Sequence, residues 1–304
     1  NAGQDMSTGQ RNTFVGTASG ANLTTGSYNI GIGYEALGTE DAHGRNVAIG
    51  YQALKDQDAG ADAYNVAIGF AAGNAISTGV RNTLIGAEAG YALTTGGYNI
   101  AVGHGALATE DGNGRNTAIG YRTLENQNAG ADAYNVAIGY EAGNDVTDGI
   151  ENTLIGGNAA DGLTTAKECT LIGAYTAAGQ VVTGNQNTSL GRYTLYNLTD
   201  GVGNTAIGHQ AMLNGLVTGD YNTAVGKDAG ASIGSGSHNL LTGVYCGDAL
   251  TSGTRNTAYG NYALTSEDGN GYNVAVGYAS LMTLNAGADA YNVAVGYEAG
   301  MLLS

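Results

Sequence analysis

Glycine-rich acidic loops hold the first residues in this chain whose types and spacing could do chemistry. Glu110-Asp111-Gly112-Asn113-Gly114 and Glu267-Asp268-Gly269-Asn270-Gly271 place several hard oxygens within a few residues, which suits Ca²⁺. The full spacing of an EF-hand loop is absent, and the related stretch Glu40-Asp41-Ala42-His43-Gly44 carries Ala and His in place of Gly and Asn. Asp-Gly-Asn-Gly is also ordinary turn chemistry. A pair of carboxylates at suitable separation could cleave a glycoside, but here carboxylates recur as decoration of a repeat. The histidines His43, His104, His209 and His238 occupy variable places without a motif partner. No catalytic, cofactor-binding or metal-ligating residue is therefore expected, and the chain does not read as an enzyme.

Three other residue types recur at fixed places. Tyr28, Tyr64, Tyr98, Tyr134, Tyr221, Tyr272 and Tyr291 precede an Asn, and Tyr34, Tyr51, Tyr121, Tyr140, Tyr278 and Tyr297 follow a Gly. Columns of tyrosine offer amphipathic area to a glycan or a protein receptor. Packing on the neighbouring coil or chain, with the hydroxyl in water, is the preferred reading. Threonine columns raise the idea of an ice-binding face, but Thr alternates with Val and Ile in a column that the pattern assigns to the interior. Cys169 and Cys246 stand about four coils apart, roughly 19 Å at the usual inter-strand spacing, beyond the roughly 7 Å Cα limit for a disulfide. Both read as tolerated substitutions.

The elements that position these residues come from a repeat. Asn12, Asn29, Asn46, Asn65, Asn82, Asn99, Asn116, Asn135 and Asn152 each open a copy, and Asn187, Asn204, Asn222, Asn239, Asn256, Asn273 and Asn292 continue the series. Cys169 takes the place between Asn152 and Asn187. Spacings of 17 to 19 residues over 17 copies signal stacked, near-identical units. Residues 12–81 match 82–151 as a four-coil cassette, residues 152–238 are degenerate coils, and 239–304 begin a third cassette. No linker or composition break appears, so the reading is one continuous domain over 1–304. The partial first coil and the uncapped end at Met301-Leu302-Leu303-Ser304 point to further protein on at least one side, because solenoids need polar caps.

Composition agrees. The chain has 53 Gly and no Pro in 304 residues, without the Gly-X-Y triplet of collagen. Regular Val, Ile, Leu and Tyr exclude disorder. Pro would delete a ladder donor at any strand position. The net charge of -16 disfavours phosphate backbones and anionic lipid surfaces, so neither nucleic acid nor membrane insertion is expected. No apolar run approaches the roughly 20 residues that span a bilayer.

Counting from each Asn as position 0, position 1 is Thr, Val or Ile except at Leu240, and position 3 is Ile or Val in nearly every copy, as in Val47 and Ile49 or Thr83 and Ile85, with Thr242 and Tyr259 as exceptions. β-branched residues at alternate places predict a strand. The expectation is that these two columns form the core seam and that position 2 (Ala48, Leu84, Ala118, Leu154) faces outward, towards a partner chain. Gly at position 4 (Gly16, Gly50, Gly120, Gly243, Gly296) predicts positive φ or close backbone approach. A second short strand is expected at places such as Tyr51-Gln52-Ala53-Leu54, with Ala53, Ser19, Thr123 and Ala142 pointing inward. Stacked Asn side chains are expected to ladder. The fold class is all-β, a parallel β-solenoid of about 17 coils.

Asn-Val-Ala-Ile-Gly, as in Asn65-Val66-Ala67-Ile68-Gly69, resembles the head repeats of trimeric autotransporter adhesins (YadA-like heads), where Ser-Val-Ala-Ile-Gly coils form a left-handed β-roll. Copies of the type Asn-Thr-Ala-Ile-Gly-Tyr, as in Asn116 to Tyr121, are similar to repeats in bacteriophage tail fibres. The resemblance implies a homotrimeric adhesive fibre segment, extracellular, on a cell surface or on a virion, that presents loops to a host-surface glycan or protein receptor. A glycan-binding or glycan-cleaving tailspike is the alternative, and an ice-binding protein a minor one.

Overall fold

The computed structural model describes residues 1–39 and 42–303. Among them there is no helix, and every strand is a three-residue segment that follows the repeat's Asn or Cys169. The chain forms two compact units, Asn1–Glu151 and Asn152–Ser304. The first holds β1 (Thr13–Val15), β2 (Ile30–Ile32), β3 (Val47–Ile49), β4 (Val66–Ile68), β5 (Thr83–Ile85), β6 (Ile100–Val102), β7 (Thr117–Ile119) and β8 (Val136–Ile138). The second holds β9 (Thr153–Ile155), β10 (Thr170–Ile172), β11 (Thr188–Leu190), β12 (Thr205–Ile207), β13 (Thr223–Val225), β14 (Leu240–Thr242), β15 (Thr257–Tyr259), β16 (Val274–Val276) and β17 (Val293–Val295). Within each unit successive strands pair in parallel, equivalent residue on equivalent residue, as in Val47↔Val66 and Thr205↔Thr223. This is a parallel β-solenoid of about 17 turns.

Between Asn29 and Asn273 the Asn that opens a coil is buried, and it typically joins its coil to the next at two points. Its Oδ1 accepts the backbone N–H of the next Asn: Asn29 to Asn12 at 2.8 Å, Asn82 to Asn65 at 2.8 Å, Asn99 to Asn82 at 2.9 Å. Its Nδ2 donates to the carbonyl three residues before that next Asn, as in Asn12 to Gly26 at 2.8 Å and Asn82 to Gly96 at 2.9 Å. The second unit repeats the arrangement, with Asn204 N–H on Asn187 at 2.9 Å and Asn256 N–H on Asn239 at 2.9 Å. The expected Asn ladder is present, built chiefly from side chain to backbone. Amide-to-amide bonds join it from Asn222 onward, such as Asn239 Nδ2 to Asn222 Oδ1 at 2.9 Å.

The strand faces are reversed from the expectation. Position 2 is fully buried (Ala48, Ala67, Leu84, Ala118, Leu154), and positions 1 and 3 look out. The reason is the width of the interior. Position 2 meets position 8 from the opposite wall, and in many coils their sizes compensate. Alanine at position 2 accompanies Leu54, Leu107, Leu124 and Leu264 at position 8, all buried. Large residues at position 2 accompany glycine: a Cβ on Gly20 would lie 2.5 Å from Phe14, on Gly90 2.9 Å from Leu84, and on Gly247 2.9 Å from Leu241. Large side chains from position 11 complete the filling, as Leu93 does beside Leu84 and Ile76 does in the coil of Ala67 and Gly73, so there is no room for two β-branched columns.

The predicted second strand is absent. In its place every other residue takes positive φ, as in Gln52 (54°) and Leu54 (47°) or Glu35 (52°) and Leu37 (53°). These residues still bond from coil to coil: Leu37 N–H to Ala53 at 3.1 Å and Glu35 N–H to Thr17 at 3.1 Å. Each non-glycine residue in this region costs about 1–2 kcal/mol, which the repeated inter-coil bonds and packing offset. The small third position does point inward, since Ser19, Ala53, Thr123 and Ala142 are buried. The position-4 glycines adopt φ of 120° to 144°, and a Cβ on Gly50 would sit 2.1 Å from the carbonyl oxygen of Gly69. Only glycine fits that corner.

Asn82→Ala would leave the Asn99 N–H and the Gly96 carbonyl buried without partners, so a loss of roughly 2–4 kcal/mol is expected. Cys169 interrupts the ladder, because it has no amide oxygen for the Asn187 N–H. Its Sγ already lies 3.6 Å from the Gly184 oxygen, where an Nδ2 would donate. Cys169→Asn is expected to stabilise by about 1 kcal/mol. Urea unfolding midpoints check both.

Candidate functional site

With position 2 turned inward, the outward strand face becomes the most distinctive surface of the molecule. Its two central columns are the β-branched residues of positions 1 and 3. Ile30, Ile32, Ile85, Ile100, Ile119 and Ile138 are exposed, Ile100 to 42%. Isolated exposed aliphatic residues need no explanation, but two continuous columns form a patch. The core assignment made from sequence for these columns is therefore corrected: they are surface.

Position −1 flanks this patch. In the first unit it reads Arg11, Tyr28, Arg45, Tyr64, Arg81, Tyr98, Arg115, Tyr134, a strict alternation. Each of these residues takes positive φ, which aims the side chain away from the buried Asn beside it. The guanidinium groups of Arg11 and Arg45 lie over opposite sides of Tyr28, at 5.2 and 5.1 Å, and Arg81 and Arg115 flank Tyr98 at 5.3 and 5.1 Å. Cation–π contacts of this kind contribute about 0.5–1 kcal/mol each at exposed sites. Arg81 Nη1 donates to the Tyr98 hydroxyl at 2.7 Å. Arg45 and Arg115 bond Asp62 and Asp132 at 2.6 and 2.7 Å, at matching places in the two cassettes. The tyrosines before Asn were visible in the sequence. Their alternation with Arg was the signal left unread.

Position 5 flanks the other side. Tyr34, Tyr51 and Phe70 stack at 5.3 Å, and Tyr121 stacks between His104 and Tyr140 at 5.5 and 5.3 Å. These rings cover one another's faces, so they offer edges and hydroxyls to solvent rather than open stacking platforms. The preferred packing role of the tyrosines holds within the chain.

The acidic loops do not converge their oxygens. Glu110 turns into the interior and is fully buried, while its neighbour Asp111 is exposed. Glu110 Oε1 accepts the Asn113 N–H at 3.2 Å, and its Oε2 has no partner. Glu267 is buried in the same way but better satisfied, by Asn270 N–H at 3.0 Å and Ala286 N–H at 3.4 Å. Among the described residues no group of three or more His, Cys, Asp or Glu is arranged to hold a metal ion. Glu40 and Asp41 of the remaining acidic loop lie outside the described residues. Cys169 and Cys246 are buried free thiols, and burial pushes Cys246 up to about 12, which keeps it inert. Among the described residues no helix is long and apolar enough to cross a membrane.

A scan against models of known protein families finds no match, and a search of curated proteins finds no relative. The surface has to be interpreted from its own chemistry.

Burial raises the Glu110 carboxyl from 4.5 to about 7, with hydrogen bonds from Asn113 partly opposing. The folded state thus holds its proton where the unfolded state has lost it. Stability falls as pH rises from about 4.5 to 7 and stays low above. Gln57 and Gln127 occupy the equivalent place, where their Oε1 atoms accept from Asn65 and Asn135. Glu110→Gln is expected to remove this slope, gaining roughly 1–3 kcal/mol at pH 8 relative to pH 4. Urea unfolding at the two pH values measures it.

Proposed function

We propose that this chain is a structural and adhesive fibre segment, a rigid spacer outside the cell or on a virion that assembles as a homotrimer through its outward strand face. The observation that carries this reading is the chemistry of that face. In the rows of β1 to β8, no Asp or Glu stands at positions −1, 1, 3 or 5, although the chain as a whole carries -16. Copies of so acidic a chain repel one another over most of their surface. This face is apolar in the middle and carries the Arg and Tyr columns at its edge.

Its size is also suitable. Eight rows at about 4.8 Å, each about 20 Å wide, make roughly 750 Å², close to the roughly 800 Å² per partner of a standard interface. The remaining loops vary between coils and are free to present groups to a glycan or protein receptor on a host surface. The in-register stack supplies stiffness, because each coil is bonded to the next along both the strand and the Asn column.

Light scattering on the purified chain is expected to give about three times 30.4 kDa. A mass near that of one chain would overturn the assembly. Ile85→Lys together with Ile119→Lys changes only outward residues, so the variant is expected to unfold cooperatively like the parent but to elute at the mass of a monomer. Binding of the parent to host cells or their surface polysaccharide tests the adhesive part.

A further inference from the structure

The strand face is not uniform. In the first unit, Thr at position 1 is interrupted by Ile30, Val47, Val66, Ile100 and Val136. In β9 to β13 it is not interrupted. Thr153, Thr170, Thr188, Thr205 and Thr223 form one column and Ile155, Ile172, Leu190, Ile207 and Val225 the other, each in direct register with the next. The column then ends at Leu240, and Tyr259 stands proud two rows on. The flanks change as well. Position −1 reads Glu151, Glu168, Gln186, Gly203 and Tyr221 in place of the Arg and Tyr alternation, and position 5 reads Gly157, Ala174, Arg192, His209 and Lys227 in place of the stacked rings.

A second observation concerns the hydroxyls. Loop threonines spend theirs on the neighbouring coil, as in Thr199 Oγ1 to the Val217 oxygen at 3.1 Å and Thr251 Oγ1 to the Asp268 oxygen at 2.7 Å. The five strand-face threonines make no such bond to protein. They form an evenly spaced row of uncommitted hydroxyl and methyl groups.

We propose that the face of β9 to β13 binds ice. The match is one of spacing. The rows repeat at about 4.8 Å and the two columns lie about 6.7 Å apart. Tetrahedral water hydrogen-bonded at about 2.75 Å places second neighbours about 4.5 Å apart and repeats along its threefold axis at about 7.3 Å. Ordered water held between the methyl groups and anchored by the threonine hydroxyls can therefore run on into a crystal plane. The column set aside as interior when read from sequence is, in the fold, the one that faces solvent. The inference concerns these rows alone and needs them open to solvent in the assembled protein.

The test is inhibition of ice recrystallisation and uptake into a growing ice hemisphere by the full chain, with the mass of every sample measured by light scattering. The parent is expected to inhibit at micromolar concentration. Thr188→Tyr with Thr205→Tyr should raise the required concentration at least tenfold. Thr188→Val with Thr205→Val keeps the shape, removes the hydroxyls and should raise it a few-fold. Thr218→Tyr, on an exposed loop of the same unit, should leave it within twofold. No inhibition or uptake by the parent overturns the inference, as does an equal loss in the loop variant or a loss that follows a change in mass. Activity from a chain with the mass of a monomer would sustain this inference while refuting the proposed assembly.

Discussion

The buried asparagine column is the constraint on which the rest of the structure depends. An amide has an acceptor and a donor end, and in most coils of 17 or 18 residues both bond the next coil: Oδ1 the following Asn N–H, Nδ2 the carbonyl three residues before it, whereas Asn116 Nδ2, at the head of a 19-residue coil, has no partner. The two bonds fix the return path of the chain to within three residues of the next strand. A buried amide with either end unmade costs about 1–3 kcal/mol, so the return cannot drift. Length differences are confined to the outer loops. The two additional residues of the 19-residue coils fall near Gly60 and Gly130, where a Cβ would meet nothing within 4 Å.

That constraint makes the interior narrow, and the narrow interior decides the surface. A wide solenoid could bury aliphatic columns from two walls. This one is filled by large side chains from position 2, position 8 or position 11, as Leu84, Leu54 and Ile76 show. The β-branched residues that strand geometry favours must then face outward. The apolar strand face is thus a consequence of how the core is filled, and self-association and ice binding are alternative uses of what this packing leaves uncovered. The two proposed uses fall on different rows: self-association on those flanked by alternating Arg and Tyr, ice binding on those with the unbroken threonine column.

Much of the fold was legible in the sequence. Asn65-Val66-Ala67-Ile68-Gly69 marks a strand and a corner, and the structure has both. The inward direction of Ala53 and Thr123 was also readable. The facing of the strand was not, because positions 1, 2 and 3 are all apolar and alternation alone does not say which parity is inside. The deciding information was present in another form. Phe14 with Gly20, Leu84 with Gly90, and Ala48 with Leu54 vary inversely, and where both are small, as in Ala67 with Gly73, Ile76 fills the space. The second strand was misjudged because Tyr51-Gln52-Ala53-Leu54 has no residue that announces positive φ. Gln52 and Leu54 adopt it only because the neighbouring coils supply matching bonds. The burial of Glu110 was hidden for a similar reason: Glu-Asp-Gly-Asn-Gly reads as a solvated turn, and only the coil register places its first residue among Leu93 and Gln127.

Interior and exterior therefore carry different kinds of information. The position-4 glycines persist through both units, and the Asn column does so with the exception of Cys169. The outward columns have no such obligation. A Thr, Val or Ile at position 1 meets the same backbone, so its identity costs the fold little. Yet these columns are ordered: Arg alternates with Tyr over eight rows in the first unit, and threonine runs unbroken over five rows in the second. Part of this order is internal, since Arg and Tyr contact one another along the flank and residues 12–81 recur as 82–151. A partner that spans many rows at once, such as another copy of the chain or a crystal face, reads periodicity in a way that a small ligand held by one loop does not.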